Sequence, residues 1–277
     1  MLNRTDKIML ASLITVTLSS TGLQYYGQTP SPEKAVSDTQ DDTLYLIVEE
    51  PKKEVPDFTR FMDVREKKSA FFAFMMPLIE KENKQILSNR RRILELSEQK
   101  KLSATEQQWL ADIAKRYRMA DTPRESPTFF HELLSRVDMI PLSLALVQSA
   151  NESAWGTSRF AIQGNNFFGQ WCFSKGCGIV PNSRPKGEIY EVRKFDSVAE
   201  SVRAYMHNLN THHQYDAMRE LRQSRRQYNQ AITGPVLAQG LYAYSIRGLE
   251  YVEELVAMIA SNDLLRYDLS KGVRSES

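Results

Sequence analysis

Apolar side chains recur at helical spacing between residues 58 and 125. Phe71, Met75 and Ile79 fall on one face of this pattern, as expected for an amphipathic helix that buries one side. The pattern predicts a helical extension over this part of the chain. We interpret the basic run at 89–92 within it as a solvated helix face rather than a patch for an anionic polymer.

A second series of helical patterns runs from residue 126 to about residue 270. The segment from Leu142 to about Ser153 is almost continuously apolar, which predicts a helix buried on most of its sides. Amphipathic spacing predicts two further helices, one beginning at Val198 after an N-cap serine and one covering residues 249–261. This half of the chain is therefore also mainly helical.

Two β-prone segments, 168–173 and 188–195, lie between the predicted helices. Glycines, prolines and an asparagine separate them, and such residues form turns. β-prone segments joined by a turn-rich stretch predict a β-hairpin. The predicted fold class is therefore α+β and mainly α, with one small β element.

The first residues have the features of an export signal. Arg4 and Lys7 precede the apolar stretch at 8–18, which is too short to span a bilayer alone. Residues 1–22 are predicted to be a signal peptide or, because no A-x-A cleavage pattern follows, an uncleaved inner-membrane anchor. Residues 23–57 are polar and poor in large apolar side chains, which predicts a largely disordered linker. Export would place the protein in the periplasm or cell envelope.

The overall composition excludes several classes of protein. Hydrophobic residues make up 42% of the chain, enough for a buried core, and the formal net charge is only +2. A dedicated nucleic-acid binder usually shows a strong basic excess, so nucleic acid is not a predicted partner. The cysteines and histidines lack zinc-site spacing, and neither a metal nor a cofactor is predicted.

Glu152 is the candidate catalytic group, because it lies near the end of the strongly apolar helix. The negative end of the helix dipole and the apolar surface of Trp155 both disfavour a carboxylate there, which raises its pKa. A glycosidase acid must hold a proton near neutral pH. By position alone, an exposed glutamate in the last helical turn is an equally good interpretation.

The motifs around Glu152 resemble a known family. Glu-Ser-x-Trp-Gly at 152–156, followed by Asn-x-Phe-Gly at 166–169, is similar to the N-acetylglucosaminidase domain of bacterial peptidoglycan hydrolases, including flagellar hydrolases and autolysins. The longer run, with Trp-Cys-Phe at 171–173 and Tyr-Ser at 244–245, resembles the Bax-like envelope proteins of Gram-negative bacteria. The resemblance implies a lysozyme-like domain over residues 126–270, with a groove between two lobes.

This resemblance implies that Glu152 is the general acid and that a second carboxylate lies on the hairpin. Glu188 and Glu191 compete for that role, and their odd separation puts them on opposite faces of a strand. We favour Glu191, which would activate water or stabilise positive charge at the anomeric carbon. Retention, inversion and assistance by the substrate's N-acetyl group all stay open.

Five more residues are predicted to bind substrate or close the site. Tyr244 matches the tyrosine that closes the family's site, although Tyr242 and Tyr251 lie close to it in sequence. The remaining candidates are side chains that would stack on sugar faces and an asparagine that would bind the N-acetyl group: Trp155, Phe168, Trp171 and Asn165. Each of them also has a structural interpretation, in packing or in the turn before Phe168.

Cys172 and Cys177 flank a glycine-containing turn, and in an oxidising compartment a bridge between them is favoured over two free thiols.

The predicted activity is hydrolysis of the β-1,4 bond after N-acetylglucosamine in peptidoglycan strands. A lytic transglycosylase is one alternative, but the chain lacks the usual Gly-Leu-Met-Gln run. A non-catalytic peptidoglycan-binding protein is the other.

Overall fold

Ten α-helices make up most of residues 54–269, the part of the chain that this computed structural model describes. They are α1 (Val64–Ser97), α2 (Ala104–Arg116), α3 (Phe129–Arg136), α4 (Leu142–Glu152), α5 (Arg159–Gly164), α6 (Val198–Thr211), α7 (Asp216–Gln227), α8 (Gly234–Ala238), α9 (Leu249–Ser261) and α10 (Leu265–Leu269). Within the described range, none of these helices has the length and apolar character needed to cross a membrane. The predicted signal or anchor and the linker up to residue 53 lie outside the described residues.

Helix α1 is long because its sequence supports it at the start and along one face. The Asp63 side chain accepts hydrogen bonds from the backbone N–H groups of Arg65 and Glu66, which satisfies two otherwise unpaired donors. The predicted apolar stripe is buried along the helix and packs against α4, α6 and α3. The predicted helical extension therefore lies directly on α4, and residues 56–269 belong to one compact unit.

Helix α4 is enclosed as its apolar sequence predicts. Every residue from Leu142 to Ala150 is buried. Asp268 caps the N-terminus of α4. Its carboxylate accepts hydrogen bonds from the backbone N–H of Ser143 at 3.0 Å and of Gly234 at 2.9 Å. Glu152 is the last residue of the helix. The candidate acid therefore lies at the C-terminal end of a buried helix.

The β element is a three-stranded antiparallel sheet in the order β1 (Trp171–Cys172), β3 (Glu191–Arg193), β2 (Gly178–Ile179). The pairing of Trp171 with Val192 confirms the predicted contact between the two β-prone segments. Strand β2 was not part of the predicted hairpin, which had only two strands. The helices and this small sheet confirm the α+β, mainly α fold class.

A buried ion cluster ties α1 to the rest of the unit. Arg226 contacts both oxygens of Asp138, at 3.0 and 2.7 Å, and Arg90 of α1 lies 3.5 Å from the same carboxylate. Arg222 is almost fully buried and donates to nearby backbone carbonyls. Because Arg90 is anchored in this way, the interpretation of the whole basic run as a solvated face is wrong at that position.

Candidate active site

Glu152 is a carboxyl group that holds its proton unusually well. Burial raises its pKa from 4.5 to about 7, and the nearby charge of Glu254 adds to this effect. The Tyr251 hydroxyl donates to Oε1 of Glu152 at 2.9 Å, and this hydrogen bond and the charge of Arg247 lower the pKa. Desolvation outweighs both, so a large fraction of Glu152 is protonated near neutral pH.

A chain of hydrogen bonds fixes the Tyr251 hydroxyl. Tyr205 of α6 donates to Oε1 of Gln148 at 2.6 Å, and Nε2 of Gln148 donates to the Tyr251 oxygen at 3.0 Å. Gln148 lies one turn before Glu152 on the same face of α4. All three supporting side chains are buried. Three helices therefore determine the position of one carboxyl oxygen.

Aromatic rings enclose this hydrogen-bond chain. The ring of Tyr244 stacks parallel to that of Tyr251, with centroids 5.6 Å apart, and its hydroxyl donates to the Phe168 carbonyl at 3.2 Å. Phe168 stacks on Tyr205 at 3.9 Å. Burial and the charge of Glu152 raise the pKa of all three phenols well above the ordinary value, so they remain donors.

The second oxygen of Glu152 faces the backbone of Gly169. A Cβ atom added at Gly169 would lie 3.5 Å from Oε2, in ordinary contact with it. The glycine has a φ of +65°, a conformation that disfavours other residues. The absence of a side chain therefore leaves space beside the oxygen that the Tyr251 hydroxyl does not bind.

The backbone after Glu152 follows an unusual path. Ala154, Trp155 and Gly156 all have positive φ, at 51°, 59° and 76°. The Ser153 hydroxyl stabilises this turn, because it donates to the Ser149 carbonyl at 2.6 Å and accepts from the Gly156 N–H at 2.8 Å. This turn ends α4 immediately after the candidate acid.

The two hairpin glutamates have different surroundings. Glu191 is only 4% exposed, and its two oxygens accept hydrogen bonds from the backbone N–H groups of Gly176 at 3.0 Å and Gly178 at 2.8 Å. These bonds, with Arg184 nearby, lower its pKa. Glu188 is half-buried and precedes β3, so strand alternation does not apply to it. Glu191 thus stabilises its own loop in this structure.

The predicted disulfide is confirmed. Cys172 and Cys177 are joined, with their Cα atoms 6.2 Å apart. The bridge closes a loop that includes Gly176, one of the two donors to Glu191. Strand β3 and the bridged loop are therefore connected both covalently and through the Glu191 carboxylate.

The predicted sugar-binding side chains also have protein partners. Phe168 is 2% exposed, and Trp155 is half-buried against aromatic rings of α1. Trp171 is half-buried and meets Tyr190 edge-on at 4.7 Å. Asn165, in a left-handed conformation, donates from its amide to the Phe195 carbonyl at 3.0 Å. Their contacts with substrate remain predictions.

Residues 54–269 contain no group of three or more His, Cys, Asp or Glu side chains arranged to hold a metal ion. His207 instead forms a hydrogen bond with the backbone carbonyl of Arg116 at 2.7 Å. His212 and His213 stack on each other.

Comparison with known proteins identifies the family. A family model described as mannosyl-glycoprotein endo-beta-N-acetylglucosaminidase matches residues 128–264. The Escherichia coli K12 protein named Protein bax is 35% identical over 211 residues, which cover 76% of this chain and 75% of that protein. The chain belongs to the glucosaminidase family, in its Bax-like branch. No solved structure matches it significantly.

Membership confirms the resemblance inferred from the motifs and places the chain among glycoside hydrolases. In this member of the family, Glu152, its tyrosine neighbours and the small sheet all lie inside the matched residues. Helix α1 lies before the matched range, although it packs on α4. The sequence motifs point to Glu152 and Tyr244, whereas the only local signal for the Tyr251–Gln148–Tyr205 chain is the four-residue spacing of Gln148 and Glu152.

Proposed function

We propose that this glucosaminidase hydrolyses peptidoglycan at the β-1,4 bond after N-acetylglucosamine, with Glu152 as general acid. The observation that carries the proposal is the Glu152 carboxyl group at the end of α4, whose pKa is raised to about 7. Family membership supports the glycosidase class. The motif resemblance to peptidoglycan hydrolases supports the substrate.

In this mechanism, protonated Glu152 gives its proton to the glycosidic oxygen as the bond between that oxygen and the anomeric carbon breaks. Positive charge develops on the anomeric carbon, and water bonds to that carbon in place of the leaving sugar. The proton that this water loses goes to the second carboxylate or, in a retaining route, back to Glu152. Glu152 becomes a carboxylate, and the Tyr251 hydroxyl already donates to Oε1 at 2.9 Å to stabilise that charge. Oε2, which the Tyr251 hydroxyl does not bind, is the oxygen that we assign to proton transfer.

We propose that the second carboxylate is one of the two hairpin glutamates, Glu188 or Glu191. For Glu191 to act on water, its hydrogen bonds to the loop would have to be exchanged for substrate or water. Glu188 has no such bonds among the described contacts, so single variants Glu188→Gln and Glu191→Gln distinguish the roles. A second carboxylate lowers kcat when replaced, whereas a loop-stabilising one lowers thermal stability first.

Digestion of purified peptidoglycan with the protein and with Glu152→Gln, followed by mass spectrometry, tests the proposal. We expect fragments that end in reducing N-acetylglucosamine, with activity at least about a hundredfold lower in the variant. The exposed Glu253→Gln is the matched control and should be active. Anhydro-muramic ends would instead identify a lytic transglycosylase. Binding without cleavage by either protein would identify a non-catalytic binding protein.

The proposed cellular location is based on the N-terminal sequence. We infer that residues 1–22 direct export to the periplasm or cell envelope, where glycan strands are the partner. The intact mass of the protein recovered from envelope fractions separates a cleaved signal from a retained anchor. Recovery from the cytoplasm with residues 1–22 intact would contradict export.

A further inference from the structure

We propose that aromatic residues before and within α1 are positioning residues for Glu152, so that the helical extension is part of the active site. This inference rests on the proposed function, because it concerns how the same acid is held. The residues concerned are Phe58, Phe71 and Phe72, all of which precede the residues matched by the family model. They act through the turn that follows Glu152.

The first contact is between Phe58 and Gly156. Phe58 is 2% exposed, and a Cβ atom added at Gly156 would lie 2.3 Å from Cδ2 of the phenylalanine ring. The ring therefore lies directly on the glycine backbone, where another residue would clash. With a φ of +76°, Gly156 is also in a conformation that glycine adopts most readily.

The second contact is between α1 and Trp155. The rings of Phe71 and Phe72 meet the indole edge-on, with centroids 5.6 and 5.3 Å from it. The Lys68 ammonium group lies 4.9 Å from the indole centroid, and it also donates to Asn262 at 2.9 Å. Three side chains from about one turn of α1 therefore contact the tryptophan.

The turn needs such support because its backbone is strained. Ala154 and Trp155 have positive φ although neither is glycine, and such residues persist only where their surroundings hold them. The Ser153 hydroxyl supplies hydrogen bonds from the α4 side. The aromatic rings of the extension supply the packing from the other side.

Glu152 lies two residues before this strained pair, so the turn determines how the last turn of α4 ends. Release of the turn would let α4 fray, admit water to the carboxyl group and weaken the hydrogen bond from Tyr251. Since burial is the main cause of the raised pKa, added water would lower it. A smaller fraction of the acid would then be protonated at neutral pH.

The test uses full-length Phe58→Ala and Phe72→Leu, with kcat and KM measured against pH on a soluble peptidoglycan fragment. We expect kcat to fall on the order of tenfold, because small misplacements of catalytic groups are costly. The decline of kcat at high pH should begin at lower pH, while KM changes little. Phe58→Leu should restore part of the loss, because it refills much of the apolar volume.

Ile93→Ala is the control, because Ile93 is fully buried on α1 but lies at the opposite end of the helix from the contacts with Trp155. It should lower the melting temperature without moving the pH profile. If Phe58→Ala does not fold, Phe72→Leu decides, since Phe72 is only half-buried. An unchanged profile in the folded variants, or a shift of equal size in Ile93→Ala, would overturn the positioning role.

A second measurement separates this proposal from the proposed function. Carbon NMR of labelled glutamate follows the Glu152 carboxyl directly, assigned by its loss in Glu152→Gln. A lower Glu152 pKa in Phe58→Ala or Phe72→Leu supports positioning even if the unaltered protein cleaves no glycan, which would sink only the hydrolase proposal. An unchanged pKa beside an active unaltered enzyme would overturn positioning alone.

Discussion

The proton affinity of the Glu152 carboxyl group changes when the chain folds. Its pKa in the folded protein is about 7, above the ordinary 4.5. A group whose pKa is raised on folding stabilises the folded state while it is protonated, and this contribution disappears as pH rises through the folded value. The window of lost stability therefore runs from about pH 4.5 to about pH 7.

We predict that Glu152→Gln removes this pH dependence. At pH 8 the variant should be more stable than the unaltered protein by about 1–3 kcal/mol, a range reduced for partial solvent access. At pH 4.5 the difference should be small, since both side chains are neutral. Urea unfolding at the two pH values measures it, with Glu253→Gln as control. Equal pH dependence in all three proteins would contradict the raised pKa.

Tyr251 controls the same carboxyl group in the opposite direction. Its hydrogen bond lowers the pKa of Glu152, so Tyr251→Phe should raise that pKa and move the high-pH decline of kcat upward. Activity at neutral pH should still fall, because the carboxylate formed during catalysis loses a donor. Tyr242→Phe is the matched control, since Tyr242 is 53% exposed. A pH profile shifted equally by both variants would rule out this role.

Glu152 and Tyr251 differ in how far their roles can be predicted from the sequence. The acid lies at the end of an apolar helix, so local sequence alone gave the direction of its pKa shift. Tyr251 reaches Glu152 across 99 residues of sequence. Nothing local distinguishes it from Tyr242 and Tyr244, because only helix packing decides which phenol points at the acid.

Helix α4 depends on a cap from the far end of the described chain. Asp268 accepts backbone hydrogen bonds from Ser143 and Gly234, so Asp268→Asn replaces an acceptor oxygen with a donor. We predict a loss of about 1–3 kcal/mol in the free energy of unfolding, measured as a lower urea midpoint with unchanged slope. Asp263→Asn, in an exposed ion pair, should cost at most about 1 kcal/mol. Equal losses would argue against the cap.

The sheet was less predictable than the helices. Helical spacing over 13 residues gave α9 with its observed bounds, Leu249–Ser261. Strands β1 and β2 have two residues each and β3 has three, too few to show an alternating pattern. Glu188 lies outside β3, so the alternation of side chains along a strand does not determine its orientation.

The relation of the extension to the family domain could not be predicted from the sequence. Apolar spacing gave the existence of α1, but amphipathic helices of separate and of shared units have the same pattern. The decisive contacts are long-range: Arg90 with Asp138, and Asn83 with the backbone of Ile140 at 2.7 and 2.9 Å. These contacts motivate a test of the division at residue 126.

We predict that a chain beginning at residue 126 does not fold cooperatively. Removing α1 exposes the surfaces of α4 and α6 that pack on it, and it also removes Phe71, Met75 and Ile79 from the core, where each is fully buried. Full burial of such side chains contributes about 1.5–3 kcal/mol each, so three of them approach the usual stability of a domain.

Loss of Arg90 would also leave the buried Asp138 with fewer cations. Burial raises the pKa of Asp138, and the surrounding arginines together outweigh this effect and hold the pKa below its ordinary value.

Circular dichroism and urea unfolding compare the chain from residue 126 with one from residue 54. The shorter chain should lack a cooperative transition that the longer chain shows. A cooperative transition with hydrolase activity in the shorter chain would instead establish an independent domain from residue 126, and with it the dispensability of the aromatic contacts to Trp155 and Gly156.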